Sequence, residues 1–174
     1  GKSQLYDYAL QLLEDNNLIG CTYSEPFAGG CGLALKLLLN GRVSRVILND
    51  IDRSIYAFWW SVLNDNDNLI DLVNTTPVTI EEWNKQRLIQ TNKKSAELLE
   101  LGFSTFFLNR TNFSGIINAG PIGGESQDGK YKLNCRYNKN SLISKLKKIH
   151  TYKHKIVLFN KDAIDFFSEL DKIT

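Results

Sequence analysis

Apolar positions along the chain alternate between helical and strand periods. Leu5, Tyr8, Ala9, Leu12 and Leu13 recur at helical spacing and predict an amphipathic helix over residues 3–15. Cys21–Phe27 predicts a short strand that ends at Pro26-Phe27. Ala28-Gly29-Gly30-Cys31-Gly32 breaks it, and Leu33–Leu39 predicts an apolar helix closed by Gly41. Val43–Asn49 predicts a second strand, with Val46, Ile47 and Leu48 as its buried run. Asp52 is placed to cap a helix that reaches Leu63.

Further helices are predicted over 67–73 and 80–90, the latter opened by a capping box of Thr79 and Glu82. Another runs over Ser95–Arg110, where Phe103, Phe106 and Phe107 share a helical spacing that suits a core. Trp59-Trp60 are expected to pack their helix against the sheet. Residues 112–139 lose periodicity, are rich in Gly and Asn, and contain Pro121 and Gly123-Gly124. A loop that long inside a compact domain is usually functional or mobile. Asn140 then caps a helix to His150, Lys155–Asn160 predicts a third strand, and Asp162–Leu170 a last helix.

Strand, glycine turn, helix, strand and acid in that order make a βαβ unit, so the fold class is α/β. At 174 residues, 43% of them apolar, the chain can build the core of one domain. Its net charge of +2 excludes a disordered polyelectrolyte. No apolar run approaches the ~18 residues of a membrane span, and no N-terminal segment resembles a signal peptide. Cys21, Cys31 and Cys135 are odd in number and lack metal-type spacing, which fits a reducing, cytoplasmic setting.

The glycine turn carries the first candidate chemistry. After a buried strand, such a turn brings backbone N–H groups and a helix N-terminus up to a ligand. Asp50 follows Gly29 by 21 residues, close to the spacing of about 20 at which an acid meets ribose hydroxyls. A glycine turn is also often only a tight turn, and Asp50 or Asp162 could serve only as a helix cap. Gly29, Gly30 and Gly32 do not form G-x-G-x-x-G, which weakens a nicotinamide-binding alternative.

Glu25-Pro26-Phe27-Ala28-Gly29-Gly30 resembles the S-adenosylmethionine turn of the Dam-like DNA adenine-N6 methyltransferases. Other segments follow in that family's order. Gly1-Lys2 is similar to its N-terminal cofactor-touching element, and Asn49-Asp50-Ile51-Asp52 to its ribose-binding strand end. Asn109-Arg110-Thr111-Asn112-Phe113-Ser114-Gly115 is similar to the opening of its DNA-recognition region, and Arg136-Tyr137-Asn138 to the return from it. Asn160-Lys161-Asp162-Ala163 is similar to the strand end that binds the adenine of the cofactor. Three departures stand out: Cys31 replaces a small residue, Ser114 replaces an asparagine, and Asn118–Gly129 is a long glycine-rich insert.

The resemblance implies a partial, Rossmann-like methyltransferase sheet with helices on both faces, built from residues 1–64 and 150–174. Residues 65–149 would be a DNA target-recognition insert. It implies that Lys2, Glu25, Phe27, Ala28, Gly29, Gly30, Asp50, Ile51 and Asp162 contact S-adenosylmethionine. Asn112, Phe113, Ser114, Asn118 and Arg136 would reach bases or backbone of double-stranded DNA, with Phe113 able to wedge into the stack beside a flipped adenine.

Charge adds to this picture. Residues 130–155 hold nine Lys/Arg, two His and no acid. Such a run is either a solvated helix face or a phosphate-facing surface. On the second view Lys130, Lys132, Lys139, Lys145, Lys147 and Lys148 hold phosphates.

The family's chemistry uses Asp-Pro-Pro-Tyr, and here Pro26, Pro77 and Pro121 stand apart. With no methionine and no such segment, the chain reads as part of a larger enzyme, inactive alone and without a catalytic residue of its own. A non-catalytic module that binds S-adenosylmethionine or DNA is the alternative. The first strand would keep an open edge, to be covered by a partner chain or a further segment.

Overall fold

The computed structural model describes residues Lys2–Ile173, with side chains through Leu170. Three parallel strands, β1 (Thr22–Glu25), β2 (Arg45–Asn49) and β3 (Ile156–Phe159), form one sheet in the order β1-β2-β3. Tyr23 pairs with Val46, and Val46 with Ile156. Among the described residues β1 and β3 are edge strands. Helices α1 (Tyr6–Asp15), α2 (Gly32–Leu39) and α3 (Arg53–Asn64) accompany the first two strands. Then come α4 (Asn66–Thr75), α5 (Ile80–Thr91), α6 (Leu98–Thr111) and α7 (Lys139–His150), and α8 (Ala163–Ile173) follows β3. The result is a mixed α/β fold compatible with a partial Rossmann-like methyltransferase sheet.

Two compact units form: Gly1–Tyr56 with Thr151–Thr174, and Ala57–His150. The first carries the sheet. Its core contains Leu33, Leu37, Val46, Ile47, Leu48 and Phe166. The second is helical, with Leu69, Val73, Leu101, Phe103, Phe107 and Leu108 buried. The boundary between these two units falls inside α3, after Tyr56.

Several sequence expectations shift by a few residues for physical reasons. A 3₁₀ turn over Lys2–Leu5 precedes α1, which buries Tyr6 and Leu13 and leaves Leu5, Tyr8 and Leu12 exposed. Tyr6 takes the inner face because its hydroxyl accepts from Asn40 Nδ2 at 3.0 Å and its ring lies 4.0 Å from Lys36 Nζ. β1 stops at Glu25 because Pro26 has no N–H for the ladder. Asn138, not Asn140, caps α7: its Oδ1 accepts from Ser141 N at 3.0 Å, and Asn140 lies within the helix. Thr79 Oγ1 accepts from Glu82 N at 3.2 Å, but the Glu82 carboxylate turns to Gln86 and Lys85 instead of closing the capping box. Asp52 Oδ1 accepts from Ser54 N at 2.9 Å and caps α3 as expected.

The ring contact of Trp59 is with Phe58, at 4.8 Å, and Phe58 stacks on Phe106 at 5.8 Å. Through Phe58, Trp59 joins the aromatic core of the helical unit. Gly102 lets α6 approach α3: a Cβ there would stand 2.4 Å from Ser61 Oγ and 2.5 Å from the Ala57 carbonyl oxygen.

Asn49 holds the sheet together at its carboxyl end. It is fully buried. Its Nδ2 donates to the Pro26 carbonyl at 3.1 Å and to the Lys161 carbonyl at 3.0 Å, and its Oδ1 accepts from Lys161 N at 3.0 Å. One side chain therefore joins the segments that follow β1 and β3. Asn49→Ala should cost about 2–3 kcal/mol, because it leaves three part-buried backbone groups without their partner. Gly102→Ala should cost about 1–3 kcal/mol through overpacking. Denaturant melts of both variants check this, and wild-type midpoints would refute it.

Candidate functional site

In the sheet unit, the candidate residues gather beyond the carboxyl ends of the strands, where open parallel sheets bind ligands. Glu25 ends β1 and is buried. Its Oε2 pairs with Lys2 Nζ at 2.9 Å, and its Oε1 accepts from Ala34 N at 3.3 Å in the first turn of α2. Its negative charge sits where the helix dipole favours it. Lys2 Nζ also donates to the Phe27 carbonyl. Lys2 and Glu25 therefore fasten the N-terminal turn to the strand end.

The turn itself is built around two left-handed residues, Gly29 (φ +50°) and Cys31 (φ +49°). A Cβ on Gly29 or Gly30 would meet nothing within 4 Å, so this backbone faces open space. Ala28 is buried and its N–H donates to the Asn49 carbonyl at 2.8 Å. Cys31 is fully buried, and burial foremost, then Glu25, pushes its thiol well above the usual range. It packs rather than reacts. Burial and Glu25 likewise push the Tyr23 phenol up to about 12.

Asp50 meets the turn directly. Its Oδ2 accepts from Gly29 N at 2.9 Å and its Oδ1 from Asp52 N at 3.0 Å. Asn160 Nδ2 donates to the carbonyls of Asp50, at 2.7 Å, and Ile51, at 3.1 Å. Asp162 caps α8 through Oδ1, which accepts from Ile164 N at 2.9 Å. Phe27 and Ile51 are exposed, and so are Ile164 and Phe167 on α8. Sequence reasoning singled out neither of those last two, and took Asn49 only as part of a motif. The signal for Ile164 and Phe167 was their position just after Asp162, one helical turn apart.

In the helical unit, the loop after α6 is densely wired. Phe113 and Ile116 are 56% and 59% exposed. Ser114 and Asn118 are exposed too, and Ser114 sits at φ +52°, a region where asparagine is more at ease. Asn112 departs from expectation. It is fully buried, and its amide is used up by Trp83, Ile116 and Ile117, so in this conformation it reaches no base. Arg136 is exposed but donates to the carbonyls of Asn109 and Asn112. Arg110 was passed over. Burial first, then the neighbouring Arg136, lowers its pKa, and Asn109 Oδ1 accepts from its guanidinium.

The lysines divide. Lys139 donates to the carbonyls of Asn74 and Thr76, tying α7 to the end of α4. These bonds engage two of the three N–H groups of the ammonium that the sequence offers as a phosphate ligand. Lys132 donates to the Gln127 carbonyl, and Lys130 Nζ lies 5.7 Å from the Tyr131 ring. Lys145, Lys147 and Lys148 are exposed on α7.

Among the described residues no group of His, Cys, Asp and Glu could hold a metal ion, and the three cysteines are free. No helix among them is long and apolar enough to cross a membrane. No curated protein matches the chain. The family model for D12 class N6 adenine-specific DNA methyltransferases matches residues 1–169, which takes in the strand ends and the helical unit alike, and the chain belongs to that family.

Proposed function

We propose that this chain supplies the S-adenosylmethionine cleft and the DNA-reading unit of an enzyme that methylates the N6 amino group of adenine in double-stranded DNA. The observation that carries the proposal is the Asp50 carboxylate bound to the Gly29 amide at the carboxyl end of a parallel sheet, in a chain of this family.

The open space over Gly29 and Gly30 fits a ligand that approaches backbone closely. Each Asp50 oxygen accepts one backbone N–H and keeps a second lone pair for a ribose hydroxyl. The exposed side chains of Phe27 and Ile51 offer apolar faces to a purine. Asp162 uses Oδ1 as a cap and offers its other oxygen to an exocyclic amine. Lys2, Glu25 and Ala28 act from behind by fixing the turn. When bound, S-adenosylmethionine supplies an electrophilic methyl group.

On the DNA side, Phe113 is the wedge that takes the place of an extruded adenine. Ser114 and Asn118 stand where they can meet base edges or sugar–phosphate backbone, beside Arg136. Lys130, Lys132, Lys145, Lys147 and Lys148 neutralise phosphates. No residue of the 174 is assigned the acceptance of the amino protons, because no Asp-Pro-Pro-Tyr segment is among them. The free edge of β1 is where a further strand would pair.

Calorimetry tests the cleft. A polypeptide of these residues should bind S-adenosylmethionine and not NAD, and should show no methyl transfer to mixed-sequence DNA. Asp50→Asn should weaken that binding about tenfold, the loss of roughly one charge-assisted hydrogen bond. Level affinity would remove the ribose role. Lys145→Ala with Lys148→Ala should flatten the log–log salt dependence of duplex binding by about 1–2, near 0.9 per phosphate contact. An unchanged slope would return α7 to a merely solvated face.

A further inference from the structure

We infer that Trp83 is a positioning residue for DNA engagement, acting through Asn112 to hold the loop tip that presents Phe113 and Ile116. This deepens the DNA-methyltransferase reading above and rests on it.

Trp83, on α5, is only 4% exposed and cannot itself meet a duplex. Its indole Nε1–H donates to Asn112 Oδ1 at 2.6 Å, across 29 residues of sequence. The same amide then closes the tip. Asn112 Nδ2 donates to the Ile116 carbonyl at 3.0 Å and to the Ile117 carbonyl at 2.8 Å. An indole N–H only donates and a carbonyl only accepts. Turning the amide over would set donor against donor on one side and oxygen against two oxygens on the other. Trp83 therefore fixes which way Asn112 faces, and that orientation fixes the turn over residues 112–117.

The rest of the tip depends on this turn. Gly115 N donates to the Asn112 carbonyl at 3.1 Å, and Asn109 Nδ2 to the Gly115 carbonyl at 2.8 Å. Ser114 and Gly115 are both left-handed, at φ +52° and +72°. Phe113 N donates to the Gly120 carbonyl at 3.1 Å, and Arg136 covers the Asn112 carbonyl. Two large apolar side chains stand exposed on a tip that Asn109, Asn112 and Arg136 hold through its backbone carbonyls. A wedge that must unstack bases gains from being ordered beforehand, since no loop entropy is then lost on binding.

A thermodynamic cycle tests the coupling. The affinity of the protein for a mixed-sequence duplex is measured for wild type, Trp83→Phe, Phe113→Ala and the double variant. Circular dichroism melts confirm the fold. Trp83→Phe keeps an aromatic side chain at this buried position and removes the N–H with the pyrrole half of the indole, a loss of packing that the melts register. Each single change should weaken binding about tenfold, and the double change should also weaken it about tenfold. The salt slope should stay at the wild-type value, because no charge is removed.

A hundredfold loss in the double variant, or wild-type affinity in Trp83→Phe, would overturn the positioning role alone. Wild-type affinity in Phe113→Ala would overturn the tip as a DNA contact, and this inference with it. Absence of any duplex binding by the wild type would overturn the broader reading. If Trp83→Phe does not fold, Asn112→Asp takes its place in the cycle. That change keeps the acceptor for the indole and removes both N–H donors to the tip; its added negative charge takes the salt slope out of the comparison, and the affinity coupling with Phe113→Ala decides as before.

Discussion

Everything at the carboxyl end of the sheet depends on one buried amide. Asn49 is the last residue of β2, and its side chain satisfies backbone groups from the segments after β1 and β3 at once. Parallel strands end in carbonyls and amides that the ladder no longer pairs, and burying them unpaired is costly. By pairing them with a single side chain, the fold brings the glycine turn, Asp50 and Asp162 to one edge. Asp50 then closes the arrangement by accepting the Gly29 amide. The geometry that a nucleoside would meet is thus set by the strand-end clamp before any ligand arrives.

The helical unit uses the same device at a different place. Buried polar side chains form a seam between α5 and α6: Gln90 Nε2 reaches Ser104 and Thr105, Ser104 Oγ reaches the Gln86 carbonyl, and Trp83 reaches Asn112. Such a seam fixes one register of the two helices, since any slip would strand several polar atoms at once. Its last member, Asn112, carries that register into the loop that follows. The long aperiodic stretch is therefore a structured presentation of Phe113 and Ile116, with basic α7 in the same unit.

Much of this was legible in the sequence. Periodicity located the helices and strands, because each has an apolar face that the packing uses. The caps at Asp52 and Asp162 followed from residue type alone, and so did the 21-residue spacing that joins Gly29 to Asp50. The cap of α7 slipped from Asn140 to Asn138 because two asparagines stand two residues apart and only side-chain geometry separates them. The buried face of α1 was misjudged because Tyr6 reads as amphipathic until Asn40 and Lys36 are seen beside it. Asn49 was recognised only as part of a motif, and Asn112 as a DNA contact rather than as a clamp within its own loop. Their partners lie 112 and 29 residues away, and no local pattern announces a side chain that bonds backbone at that distance. Lys139 showed the converse: charge suggested phosphate, while two carbonyls claimed the ammonium.

We propose that S-adenosylmethionine binds beyond the carboxyl ends of the strands. Amide chemical-shift mapping tests it most directly. On titration with S-adenosylmethionine, the largest shifts should fall on Gly29, Gly30, Asp50, Ile51 and Asp162, with NAD leaving them in place. Shifts confined to the helical unit, or absent at those five amides, would contradict the account.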